Sequence, residues 1–190
     1  MQLDNLSSML IAEAIKAMSP QDFGNVFQDL VEACLKKNGR PQLAAQGGAG
    51  NPDFTWKDAE GTQWGWEVKT GERDCGITGD AMRQMLNLNQ KRLIFLDKIA
   101  SPYNLIIIDF AKYLEKHSVW ASRNEKAQES QSCKPQDWHQ MLKEESELAQ
   151  NLEELLRCLN SALFCNLPEG KKRAELATRL SDAQKLLGWN

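Results

Sequence analysis

Asn51-Pro52-Asp53-Phe54-Thr55-Trp56-Lys57, the turn Asp58-Ala59-Glu60-Gly61, and Thr62-Gln63-Trp64-Gly65-Trp66-Glu67-Val68-Lys69-Thr70 form the stretch whose reading decides the fold. Both flanks alternate as strands do, and the residues between them suit a hairpin connection. In a three-residue loop, Ala59-Glu60-Gly61, the glycine takes the left-handed position that such a loop requires. Asp58 then faces Thr62, and counting outward sets Asp53 opposite Glu67. A two-residue loop shifts the pairing by one. Directly opposed residues share a sheet face, with Cβ atoms about 5 Å apart. Lys69 lies two residues beyond Glu67 on that same face, while Trp64, Trp66 and Val68 point the other way, into a core.

Two opposed carboxylates repel unless something cationic lies between them. A hard divalent cation answers that need, and oxygen ligands suit magnesium. The same parts fit phosphodiester hydrolysis, which needs charge neutralised on phosphate oxygens and a water made nucleophilic. Lys69 is placed to hydrogen-bond that water and to stabilise developing charge.

Working outward, apolar residues at helical spacing predict a helix over 3–17 and a second over 20–37. Ser19 is its expected N-cap, Pro20 its first residue, and Asn38-Gly39 its stop. Its inward face is Phe23, Phe27, Leu30, Val31, Cys34 and Leu35. Residues 41–46 read as a short strand and Gly47-Gly48-Ala49-Gly50-Asn51 as a turn. Thr70 to Asp80, with Gly71, Gly76 and Gly79, reads as a loop, and Gly79-Asp80 as the cap of a helix through Met82, Met85 and Leu86. Leu93 to Leu96 fits a helix or a strand. Asn104 to Asp109 is a buried strand, and a helix follows from Phe110. The expected domains are a core over 1–120, a linker-like segment over 121–135, and a C-terminal helical hairpin over 136–190. Trp138, Met141, Glu145, Leu148, Leu152, Leu155, Leu159 and Ala162 form the seam of its first helix, and Leu176, Leu180, Ala183 and Leu187 the face of its second. That hairpin either packs on the core or forms a dimer interface. The fold class is therefore mixed α/β, with a mixed central sheet flanked by helices.

The hydrophobic fraction of 42% and charged fraction of 26% suit a globular protein. No apolar run reaches membrane-spanning length, and Met1 to Met9 lacks the basic flank of a secretory signal, so a cytoplasmic protein with no membrane partner is expected. The five cysteines, Cys34, Cys75, Cys133, Cys158 and Cys165, show no C-x-x-C spacing, and histidines number only two, which argues against a zinc or iron–sulfur site. Reduced, mostly buried thiols are expected. A net charge of −3 argues little against nucleic acid, since local patches govern phosphate contact. Arg73, Arg83, Lys91 and Arg92 follow the candidate strand and are positioned either to touch phosphates or to be solvated.

Pro52-Asp53 followed by Glu67-Val68-Lys69 resembles the PD-(D/E)xK nuclease superfamily, which includes type II restriction endonucleases, Holliday-junction resolvases and repair nucleases. That superfamily's core is a helix, three antiparallel strands, a helix and a further strand, and the element order over 20–110 is similar. The resemblance implies a restriction-endonuclease-like fold with Asp53, Glu67 and the Val68 carbonyl binding Mg²⁺ (or Mn²⁺ in its place). It implies Lys69 as the catalytic lysine, and double-stranded DNA as substrate of a homodimer. Many relatives carry a glutamate after a phenylalanine in the first core helix. Here Gln28 follows Phe27, and a glutamine can order a water but adds no charge. Glu32, one turn on, lies on a nearby face. A structure- or end-specific nuclease (junction resolvase or repair enzyme) and an inactive nucleic-acid-binding relative are the alternatives. An E-x-K triplet alone carries little weight, because Glu169-Gly170-Lys171 supplies another in a turn between helices.

Overall fold

A computed structural model describes residues 2–45, 51–99, 102–138, 143–159 and 172–189. In chain order its helices and strands are α1 (Asn5–Ala17), α2 (Pro20–Lys37), β1 (Ala44–Ala45), β2 (Phe54–Lys57), β3 (Gln63–Gly71), β4 (Cys75–Thr78), α3 (Gly79–Leu86), β5 (Gln90–Asp97), β6 (Asn104–Asp109), α4 (Ala111–Ala121), β7 (Ser130–Cys133), α5 (Lys143–Cys158) and α6 (Lys172–Leu186). The class is mixed α/β, as expected. No described helix is long and apolar enough to cross a membrane. The expected turn at 47–50, the side chains of Met141, Glu145 and Ala162, and the triplet 169–171 lie outside the described residues.

The chain forms two compact units. One gathers residues 1–41, 101–104 and 143–190, and the other residues 42–100 and 105–142. This corrects the expected partition at 120 and 135. Helices α1 and α2 pack with α5 and α6 because all four carry apolar stripes that need one another. Phe23, Phe27, Leu30, Val31, Cys34 and Leu35 are buried on α2, as are Leu148, Leu152 and Leu155 on α5 and Leu176, Leu180 and Ala183 on α6. Ser19 caps α2 by accepting the Asp22 amide at 3.1 Å, with Pro20 first in the helix. Asp4 caps α1, accepts from Arg157 of α5, and donates its amide to Glu153 at 3.0 Å, so one residue stitches two helices.

The second unit is built on a five-stranded sheet in the order β1-β2-β3-β5-β6. Strands β1, β2 and β3 are successively antiparallel, and β5 lies parallel to β3. A parallel neighbour requires a crossover, which α3 supplies. Leu93 to Leu96 is thus strand, resolving the open reading: Leu93, Ile94, Phe95 and Leu96 are all fully buried, as a central parallel strand requires. Leu93 and Phe95 join Met82 and Met85 of α3, Ile106 and Ile108 of β6, and Tyr113 and Leu114 of α4 in one core.

Three further expectations are corrected. Residues 121–135 are no linker, since β7 within them pairs antiparallel with β4. For the same reason Thr70 to Asp80 is not an open loop. Polar, short strands give little local signal, and only their long-range pairing reveals them. The cap of α3 is Thr78, whose hydroxyl accepts the Ala81 amide at 3.3 Å, and not Gly79-Asp80.

Candidate active site

The β2–β3 hairpin has the three-residue-loop register. Phe54 faces Trp66, Thr55 Gly65, Trp56 Trp64, and Lys57 Gln63. Gly61 has φ of +87°, the Asp58 amide donates to the Thr62 carbonyl at 3.1 Å, and the Gly61 amide donates to the Asp58 carbonyl at 3.1 Å. Asp58 also accepts the Thr62 amide at 2.7 Å and the Trp64 indole at 3.1 Å. Burial acts to raise the Asp58 carboxyl, but these hydrogen bonds outweigh it and hold the group below its ordinary value. The turn is therefore pinned by both a glycine and a carboxylate.

Continuing that register sets Asp53 at Glu67, just beyond the first residue of β2. Here the ladder changes character. The Val68 amide donates to the Asp53 carboxylate at 2.7 Å, so a side chain replaces a backbone acceptor at the strand end. The Lys69 ammonium lies 2.5 Å from Glu67 Oε1, 3.8 Å from Asp53 Oδ2 and 3.3 Å from the Val68 carbonyl oxygen. Asp53, Glu67, Val68 and Lys69 are thus together. Trp66 and Val68 are buried, and Trp64 is half-buried, stacked on Trp66 with centroids 5.8 Å apart.

Glu67 is the outlier. It is only 4% exposed, and its Oε2 is buried with no hydrogen-bond partner. An uncompensated carboxylate oxygen in such a place is costly. Burial pushes its carboxyl up to about 7, with Lys69 pulling down and Asp53 pushing up. Desolvation lowers the Lys69 ammonium, yet the Glu67 and Asp53 carboxylates outweigh it and leave the group above its ordinary value. Lys69 therefore stays charged at neutral pH.

A divalent cation fits this set in part. Glu67 Oε2 seeks a partner, Asp53 is 21% exposed at the side chain, and the Val68 carbonyl adds a neutral oxygen. Among the described residues no group of three or more His, Cys, Asp or Glu gathers anywhere. Magnesium keeps several waters and commonly takes one or two protein carboxylates, so two suffice.

Gln28 is half-buried on α2, in the helical unit, and the geometry above rests on the sheet unit alone. Glu32, also on α2, is paired with Lys36 at 2.7 Å. Two of the basic residues have internal roles. Arg83 bonds Asp80 and donates to the Ala121 carbonyl at 2.5 Å. Arg92 is buried, 3.7 Å from Asp109, and lies over the Trp64 ring at 5.4 Å. Arg73 is exposed.

Sequence reasoning missed Cys75, whose thiol is near enough to Lys69 to act on its charge. It also missed Asp97, buried and accepting from the Arg73 and Ile99 amides and the Gln136 side chain. Neither carries a local signal, because both depend on strand neighbours distant in sequence. Compared with known proteins, the chain matches no family model, no curated protein and no solved structure.

Proposed function

We propose that this chain is a Mg²⁺-dependent deoxyribonuclease of PD-(D/E)xK type that hydrolyses phosphodiester bonds, acting as a homodimer on double-stranded DNA. The observation that carries the reading is Glu67 Oε2, buried and without a partner beside Asp53 and Lys69. Asp53, Glu67 and the Val68 carbonyl are the donors that would hold the metal. When bound, the cation neutralises phosphate charge and makes a water more acidic. Lys69, being charged, serves as a hydrogen-bond donor and stabiliser of developing negative charge, not as a base. Asp53 also fixes, through the Val68 amide, the strand that carries both other groups. Three antiparallel strands, then α3 and parallel β5, follow the order this superfamily implies, with β4 inserted between β3 and α3.

A second reading, a nuclease-like fold that binds nucleic acid without cutting it, draws on the absence of a third acidic donor among the described residues. Incubation with duplex, branched and single-stranded DNA in Mg²⁺ or Mn²⁺ separates these readings. Duplex cleavage is expected. Cleavage confined to branched substrates would indicate a structure-selective nuclease, and a protein inert on all three would reject hydrolysis.

A further inference from the structure

Cys75 and Cys133 are directly opposed across the antiparallel β4–β7 ribbon. Both are free and buried, Cys75 at 8% exposure and Cys133 at 0%. Opposed antiparallel residues have Cα atoms about 4.5–5.5 Å apart, inside the span a disulfide accepts. Neither Cys34, buried on α2, nor the exposed Cys158 on α5 has a place in this ribbon. We propose that Cys75 and Cys133 are a redox-active dithiol, closed to a reversible disulfide by a small-molecule disulfide and reopened by small thiols.

The exchange balances in two displacements. The Cys75 thiolate attacks the small disulfide, forming a mixed disulfide and expelling one small thiolate. Cys133, losing its proton, then attacks Cys75 Sγ and expels the second. Two protein thiols and one small disulfide become one protein disulfide and two small thiols. Cys75 is the first attacker because it is the more exposed of the two. Cys133 is held well above the ordinary thiol range by its hydrogen bond with Cys75 and by burial, which suits the resolving role. Access comes from the ribbon itself. Both thiols belong to the buried core, so reaction requires local opening of this ribbon, two strands of four residues.

The dithiol stands independently of the nuclease reading, and its test uses no nuclease assay. Full-length protein is incubated with oxidised glutathione, remaining thiols are blocked, and the digest is mapped by mass spectrometry without reduction. The expected result is a peptide linking Cys75 to Cys133, with the intact mass lower by two hydrogens, a thermal midpoint raised by about 5 °C, and full reversal by dithiothreitol. Cys75→Ser and Cys133→Ser should each abolish the link; if either fails to fold, Cys34→Ala/Cys158→Ala protein must still show it. Persistence of both thiols as blockable groups, or their pairing with other cysteines, would overturn the proposal.

Discussion

Glu67 holds the Lys69 ammonium with one carboxylate oxygen at 2.5 Å, while its other oxygen is buried with no partner. The two oxygens of one side chain thus have opposite circumstances. The first is compensated by a charge two residues along the strand, and the second is left costly. Folding alone gains nothing from this arrangement, whereas a site that receives a cation does.

The cost should appear as a pH dependence. Folded Glu67 titrates near 7, above its ordinary 4.5, so between those values the native state binds a proton that the unfolded chain has released. Stability therefore falls as pH rises from about 4.5 to 7 and levels off above. Glu67→Gln, which mimics the protonated form, should unfold less readily than wild type above pH 7, by on the order of 2–3 kcal/mol. The difference should vanish below about pH 4.5. Urea unfolding at pH 4.5, 6 and 8 measures it, and identical profiles would contradict the assignment.

Lys69→Met tests the other half of the pair. Its raised ammonium contributes stability that is complete below 10.5 and is lost only as pH passes the higher folded value. At pH 8 the variant leaves Glu67 facing Asp53 with no cation, which should cost on the order of 1–3 kcal/mol. That cost should shrink as pH falls towards about 7, because without Lys69 the Glu67 carboxyl is lifted further and takes up its proton at higher pH. A loss of stability independent of pH would mean that Lys69 serves by packing only.

Divalent cation should supply what Oε2 lacks. Mg²⁺ or Mn²⁺ at millimolar concentration should raise the thermal midpoint of wild type by a few degrees, through preferential binding to the folded state. Glu67→Gln and Asp53→Asn should show little or none of that rise. An equal response in all three would place the cation elsewhere.

Two glycines should respond differently to alanine. Gly61→Ala meets only ordinary contact, 3.6 Å from Lys57 Cε, but must hold φ near +87°, costing about 1 kcal/mol. At Gly71 a methyl would lie 2.2 Å from the Asp74 carbonyl oxygen and 3.1 Å from the Phe95 ring. Backbone cannot yield as a side chain can, so Gly71→Ala should cost more, about 2–3 kcal/mol. Chemical denaturation of both variants gives the ranking, and the reverse order would contradict it.

What could be read from sequence divides along physical lines. The placement of Asp53 beside Glu67 and Lys69 was legible because Gly61 permits one loop type, and a loop type sets a register. Helix α2 was legible from Ser19-Pro20 at one end and a buried stripe along its length. Leu93 to Leu96 was ambiguous because a fully buried strand has no alternation to show. The β4–β7 ribbon was invisible because Cys75 and Cys133 are partners only through an intervening helix, two strands and another helix. The grouping of α1 and α2 with α5 and α6 was missed for a related reason: an amphipathic stripe shows that a helix is covered, but not by what.

The most direct test of the central claim is Mg²⁺-dependent cleavage of duplex DNA by wild type, Asp53→Asn, Glu67→Gln and Lys69→Met, each first shown to be folded by circular dichroism. Wild type should cut, and each variant should lose at least about a hundredfold in rate, as expected when a metal donor or a charge-stabilising donor is removed. Cutting by Glu67→Gln at the wild-type rate would show that the chemistry lies elsewhere.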